Sequence, residues 1–325
     1  MGIVLGASLA LVLAVPAWFL GRAVPVVGGP VFAILFGMIA AAWKRPAAFE
    51  PGLKFAAKQV LQAAIILLGF EMNLFRVLNV GGDSLLVMFG TLAAAFASAA
   101  LASRLLRLSG NVAILIGVGT AICGGSAIAA AAPAIGADDD EVASSISTIF
   151  LFNVAAVFIF PPLGRLLGLS QAGFGLWAGT AVNDTSSVVA AAYSFGEEAG
   201  AYATIVKLTR TLFIIPVVLA LSLRTVRRKP VSAERVRLAR IFPWFVLGFL
   251  AAAVLGTAGV VPAVAGASLA KSGKFLITVA MAGVGLRTNL RRLLGSGWKP
   301  LLLGLACWCS VAVVSLLAQR ATGRW

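Results

Sequence analysis

The sequence predicts an all-α, polytopic membrane protein of about eleven transmembrane helices, with inverted repeats and two broken helices. Three observations carry this. The chain is 61% hydrophobic and only 11% charged over 325 residues, with a mean hydropathy of +1.02, more apolar surface than a water-soluble domain of this size can hide. Apolar runs close to the ~20 residues that cross a ~30 Å hydrocarbon layer follow one another along the whole chain. Two of those runs carry polar residues and glycines at their centres: Gly119–Ala134, "GTAICGGSAIAAAAPA", and Gly179–Ser194, "GTAVNDTSSVVAAAYS".

Taken in order, the expected spans are residues 3–20, 27–43, 54–72, 83–103, 111–136, 141–163, 171–195, 201–223, 241–262, 272–286 and 298–318. The first lacks a basic flank, and its apolar part is too long for a secretory signal, so it reads as a span. The fifth and seventh hold the interruptions, and residues 111–223 form the expected broken-helix core of a single transporter domain covering 1–325. The sizeable connection is Arg224–Arg240, "RTVRRKPVSAERVRLAR".

The formal net charge of +15 is distributed by loop. With the N-terminus inside, alternate loops carry Lys44 and Arg45, Arg104 and Arg107, Arg165, the Arg224–Arg240 cluster, then Arg287, Arg291, Arg292 and Lys299. The opposite loops carry Asp138–Glu141, "DDDE", and Glu197 and Glu198, with scattered Arg22, Arg76, Lys271, Lys274, Arg320 and Arg324. That is the positive-inside bias, and it predicts a cytoplasmic N-terminus and an outside C-terminus for eleven spans. Nucleic acid is not an expected partner. Cys307 and Cys309 are two apart on one helix and point different ways, which suits neither a disulfide nor a metal pair; the third cysteine is Cys123. The chain has no histidine, so zinc hydrolysis and His-based nucleophilic catalysis lack their usual groups, and no enzyme activity, metal or cofactor is expected.

Two internal similarities stand out. Gly69–Leu86, "GFEMNLFRVLNVGGDSLL", matches Gly285–Leu302, "GLRTNLRRLLGSGWKPLL", at eight of eighteen positions, among them Asn73/Asn289 and Arg76/Arg292. Both are turns between spans, an odd number of crossings apart, so they lie on opposite faces, as in the inverted repeats of secondary transporters. Gly119–Ala132 and Gly179–Ala192 share seven of fourteen residues. The eleven-span topology makes this second pair parallel, which an inverted pair is not. Either the span count is off by one between them, or the likeness reflects a shared local need.

A helix break in lipid strands backbone N–H and C=O groups, at several kcal/mol each unless something satisfies them. Gly124 and Gly125 let the chain unwind, and Ser126 is placed to cap the half-helix behind it. The positive end of that half-helix is an anion site in kind. In the second break Asn183, Asp184, Thr185 and Ser186 are all cap formers. Asp184 near the bilayer midplane is costly, hence expected to be functional. It is read as an Na⁺ or H⁺ coupling site, or as a cap paired with a base. The available bases, Lys207 and Arg210, are three apart on one face of the eighth span. Asn153 reads as an interhelical hydrogen-bonding residue, and Asn73 and Asn289 as turn caps. Glu71 and Arg287 close their spans in solvated positions.

"GGSAIAAAAPAI", "FGLWAGTAVNDTS", "AVNDTSSVVAAA" and "ATIVKLTRTL" resemble the YeiH-type family described as sulfate exporters. A looser likeness runs to the bile-acid/sodium symporter and sodium/proton antiporter folds, in which two unwound helices meet at mid-membrane between inverted halves. The first resemblance implies an inner (plasma) membrane protein of prokaryotes with many spans; with the inverted repeat and the two broken spans, the expectation is a secondary active transporter working by alternating access. Its substrate would be a small anion such as sulfate, sulfite or a sulfonate, held by Gly124, Gly125, Ser126, Asn183, Thr185 and Ser186 with countercharge from Lys207 and Arg210. Asp184 would couple to H⁺ or Na⁺. The alternative is a monovalent cation/proton antiporter with Asp184 as carrier. The expected partners are the anion and the lipid bilayer, and a homodimer stays open.

Overall fold

The computed structural model describes residues 2–24, 27–43, 45–228, 243–288 and 297–325; Lys44, Asn289, Arg291, Arg292 and most of the Arg224–Arg240 cluster lie outside the described residues. Those described residues form helices and connections without strands. In chain order they are α1 (Gly2–Ala23), α2 (Gly29–Ala41), α3 (Ala47–Gly69), α4 (Leu74–Leu106), α5 (Gly110–Ala121), α6 (Gly125–Ile135), α7 (Asp139–Leu166), α8 (Gln171–Ala181), α9 (Thr185–Phe195), α10 (Glu197–Thr211), α11 (Ile214–Arg228), α12 (Trp244–Thr257), α13 (Ala263–Arg287) and α14 (Trp298–Ala321). Seven helices or helix pairs are long and apolar enough to cross a membrane, and α2, α5, α6 and α12 are shorter apolar helices.

Helix starts follow local chemistry. Asn73 accepts hydrogen bonds from the backbone N–H groups of Phe75 and Arg76, so α4 begins nine residues before the expected span and carries Asp83 within it. Asp138 and Glu141 form a reciprocal capping box that opens α7. Glycine permits close helix contact: a Cβ on Gly37 of α2 would lie 2.6 Å from the Ala282 carbonyl of α13 and 2.8 Å from the Gly285 Cα, an approach open only to small residues.

The two broken segments do not traverse the bundle. Ser109 and Asn111, at the start of α5, donate to the Glu141 carboxylate at 2.9 and 2.8 Å, and Glu141 lies just beyond the end of α6. Were α5 and α6 collinear, their 12 and 11 residues would separate these groups by about 34 Å. The segment is therefore a helical hairpin with both ends together, and its arms pack where Gly119 faces Ile128. Residues 171–195 repeat the construction. Gln171 Oε1 accepts from the Glu198 and Ala199 N–H groups, Phe174 stacks on Phe195 with ring centroids 3.9 Å apart, and Arg165 donates to the Ser194 carbonyl. Spans 111–136 and 171–195 are corrected accordingly. Apolar length alone does not distinguish a crossing from two half-length arms.

Helix α7, 28 residues and about 42 Å long, runs from the base of the first hairpin to the base of the second, so the hairpins enter from opposite ends. This overturns the parallel orientation expected for Gly119–Ala132 and Gly179–Ala192. The span count between them was one too many. It also moves Asp138–Glu141 to the proximal end of the bundle, where α1 begins, and Arg165 to the distal end. At the proximal end Arg287 pairs with Glu50 at 2.7 Å; at the distal end Lys274 pairs with Glu197 at 2.5 Å and Glu71 at 3.7 Å, and Arg76 with Glu198 at 2.9 Å. Glu71 and Arg287, expected to be merely solvated, are thus ion-paired.

Two buried apolar clusters organise the packing. One joins α1–α3, α12 and α13 and reaches Val189, Ala190 and Val206 of α9 and α10; the other joins the hairpins to α7, α11 and α14. Helix α9 packs on α2 and α13.

Candidate functional site

The tips of the hairpins meet beside α10. Lys207 stands ten residues into that helix, about 15 Å from its start, and is 0% exposed. Its Nζ donates to the Ile122 carbonyl at 2.8 Å and to the Val182 carbonyl at 3.0 Å. These are the groups that follow the last turns of α5 and α8. A single ammonium therefore ties both tips together. One turn on, Arg210, 1% exposed, donates through Nε to the Ala121 carbonyl and through Nη2 to the Thr120 carbonyl, both at 2.7 Å. Each cation lies against the negative end of a half-helix, where orphan carbonyls and the helix dipole favour it.

The opposite pole is built from α6, α7 and α9. Asn153 of α7, 2% exposed, accepts through Oδ1 from the N–H groups of Asn183 and Asp184 at 3.2 and 3.1 Å, while its Nδ2 donates to no described residue. Asp184 is the N-cap of α9: Oδ2 accepts from Ser186 N–H at 2.9 Å and from the Ser186 hydroxyl. Its Oδ1 accepts from none of the described residues. Gly124 caps α6 without a side chain, at φ 70° and ψ −130°, a conformation that L side chains rarely adopt. A Cβ built there would lie 3.5 Å from Asn153 Nδ2 and 3.7 Å from Asp184 Cβ. The uncapped start of α6, the Asn153 amide and the Asp184 side chain are thus neighbours. Gly125 faces open space and Ser126 is exposed, whereas Asp184 and Thr185 are half-buried.

All nine candidate residues fall at or beside the two tips. Three details differ from expectation. Ser126 does not cap α6; it is the second residue of the helix, and the cap is Gly124. Asp184 forms no ion pair within 4.0 Å with either base among the described residues. Lys207 and Arg210 are engaged by backbone carbonyls. Asn153, read as an interhelical hydrogen-bonding residue, is that and also borders the tips; an amide in the middle of the apolar stretch "FLFNVAAVF" was the signal. Asn183 is 0% exposed, and neither of its side-chain polar atoms has a partner among the described residues, nor do Arg210 Nη1 and Thr120 Oγ1.

Together the apolar helices, the opposed hairpins and the buried polar junction define a multi-pass helical membrane protein with a polar centre. Within that class the chain belongs to the family described as Conserved hypothetical protein 698, whose model matches residues 5–304. It is similar to a UPF0324 membrane protein of Streptococcus pyogenes serotype M6, 47% identical over 330 residues and covering 98% of this chain and 97% of the relative. A UPF0324 membrane protein of Streptococcus agalactiae serotype V is 45% identical, with 98% of each chain covered, and one of Fusobacterium nucleatum is 44% identical with the same coverage. No solved structure matches the chain.

Proposed function

We propose that the protein is a secondary active transporter of a small oxyanion, with the substrate held where the hairpin tips meet. The observation that carries this is the Lys207 ammonium bridging both tips while the α6 and α9 N-termini open toward polar, partly accessible space. Charge bookkeeping points the same way. Two buried cations face two helix C-termini, and one carboxylate faces two helix N-termini; at about half a charge per terminus this leaves about one positive charge in excess. The interior suits an anion.

In this reading the chain crosses an inner (plasma) membrane nine times, with two re-entrant hairpins in a single domain. The two hairpins form an inverted repeat, and the sequence likeness of 69–86 to 285–302 fits the same scheme. The proximal end, carrying Arg45, Arg104, Arg107, Arg224, Arg287 and Lys299, is cytoplasmic, which keeps the N-terminus inside; acidic residues weigh little in this rule. Because Lys207 holds the tips together, the hairpins move as one body against α1–α3, α12 and α13. The chemistry is translocation without catalysis, and Asp184 couples it to H⁺ or Na⁺.

The test is charge movement in proteoliposomes on a solid-supported membrane. Saturable currents with an oxyanion, lost in Lys207→Ala, support the proposal. Currents with Na⁺ alone, lost in Asp184→Asn, support the second reading, a cation/proton antiporter, which the unpaired Asp184 oxygen favours.

A further inference from the structure

We infer that the site selects oxyanions that still carry an acidic O–H, such as hydrogencarbonate, hydrogen sulfite or dihydrogen phosphate, and rejects fully deprotonated ones of the same shape, sulfate and nitrate. This rests on the anion reading above and narrows it.

The argument is an inventory of donors and acceptors around Gly124. Asn153 Nδ2 lies 3.5 Å from the Gly124 Cβ position with no partner among the described residues, and Asn153 is 2% exposed. It is a buried donor aimed at the α6 N-terminus, which carries no side-chain cap. The α6 backbone N–H groups and the hydroxyls of Ser126 and Thr185 add further donors. An anion of any protonation state can accept from all of these. Asp184 breaks the symmetry. Its Oδ2 is engaged by Ser186 N–H and hydroxyl; its Oδ1 accepts from none of the described residues, and its Cβ lies 3.7 Å from the Gly124 Cβ position. The cations closest in the chain's interior, Lys207 and Arg210, are turned to the carbonyls of Ile122, Val182, Ala121 and Thr120 and do not neutralise it by contact.

A bare oxyanion placed there sets its own lone pairs against a carboxylate, a like-charge contact. An anion bearing an O–H donates that hydrogen to Asp184 Oδ1 and forms a charge-assisted hydrogen bond instead. The proton then travels on the substrate as the hydrogen donated to Asp184 Oδ1, and this contact is how Asp184 links H⁺ to transport. Selectivity of this kind is strong because the wrong ligand leaves a polar group unpaired.

The test pairs anions of matched shape: hydrogencarbonate against nitrate, both planar monoanions, and dihydrogen phosphate against sulfate, both tetrahedral. Each is titrated near neutral pH onto wild-type protein and Asp184→Asn in proteoliposomes, with saturable current as the readout. The expected result is wild-type half-saturation about tenfold or more lower for the protonated member of each pair. Asp184→Asn keeps an oxygen for Ser186 N–H and puts an NH₂ where the free oxygen stood, so it should weaken hydrogencarbonate about tenfold and strengthen nitrate, a gain that no misfolded protein shows. Equal wild-type affinity within each pair, or equal losses across all four anions in Asp184→Asn, overturns the inference while leaving anion transport intact. Saturable responses to none of the four remove the transport reading and the inference together. The wild-type comparison decides even where the variant does not fold.

Discussion

Replacing Lys207 with methionine keeps the length of the side chain and removes the group that joins the hairpins. The structure sets the magnitude. The carbonyls of Ile122 and Val182 lose donors at 2.8 and 3.0 Å in a fully buried setting, at about 1–3 kcal/mol for each orphaned group. Removing a buried charge returns part of this, and interhelical hydrogen bonds in membrane proteins average nearer ~0.6 kcal/mol. The net expectation is a loss of about 2–3 kcal/mol. At about 2 °C per kcal/mol for a chain of this size, the melting temperature should fall by about 4–6 °C. The assay is thermal unfolding in detergent followed by a thiol-reactive dye in a Cys309→Ala background. Cys123, at the first tip, and Cys307 are both buried in the folded protein, so they report opening. Cys123 should become reactive before Cys307 in Lys207→Met, because the tip loosens ahead of the bundle. The exposed Lys271→Met serves as the control and should not shift. A melting temperature for Lys207→Met within about 1 °C of wild type, with Cys123 still protected, would refute the idea that this ammonium holds the tips.

Three further expectations follow from the same geometry. Cysteines introduced at Ser109 and Ala137 should both be labelled from one side of the membrane by an impermeant maleimide, and those at Ser170 and Glu197 both from the other; labelling of either pair from opposite sides would restore two full crossings. Gly124→Ala forces a side chain into φ 70° and points its methyl at Ile149, Asn153 and Asp184, at about 1–3 kcal/mol of backbone strain; transport should drop at least tenfold with the fold retained by circular dichroism, and a normal rate would mean the tip has room to spare. Glu141→Ala removes the acceptor shared by Ser109 and Asn111, so amide hydrogen exchange at the base of α5 should accelerate while that of the second hairpin stays unchanged; equal acceleration in both would mean the bases are not independent clasps.

Much of this protein is legible in its sequence. Apolar length and composition determine that it is a helical membrane protein, since nothing else buries so many apolar residues and satisfies their backbone in lipid. Gly124 and the Asn183–Ser186 run locate the two breaks, because unwinding a helix in lipid needs glycine or cap formers at that point. Lys207 and Arg210 are marked by being charged within an apolar span and by sharing one helix face. The tertiary structure alone decided where the chain goes after each break. An apolar stretch of 26 residues fits a crossing and a hairpin equally well by length, and the choice is made by contacts between residues distant in sequence: Ser109 with Glu141, Gln171 with Glu198. The same holds for chemistry. Sequence places Asp184 and two bases in one region, but only packing shows the bases turned to backbone carbonyls, Asn153 holding the second tip, and one carboxylate oxygen of Asp184 left without a partner among the described residues, because hydrogen-bond partners follow from where helices meet rather than from their order along the chain.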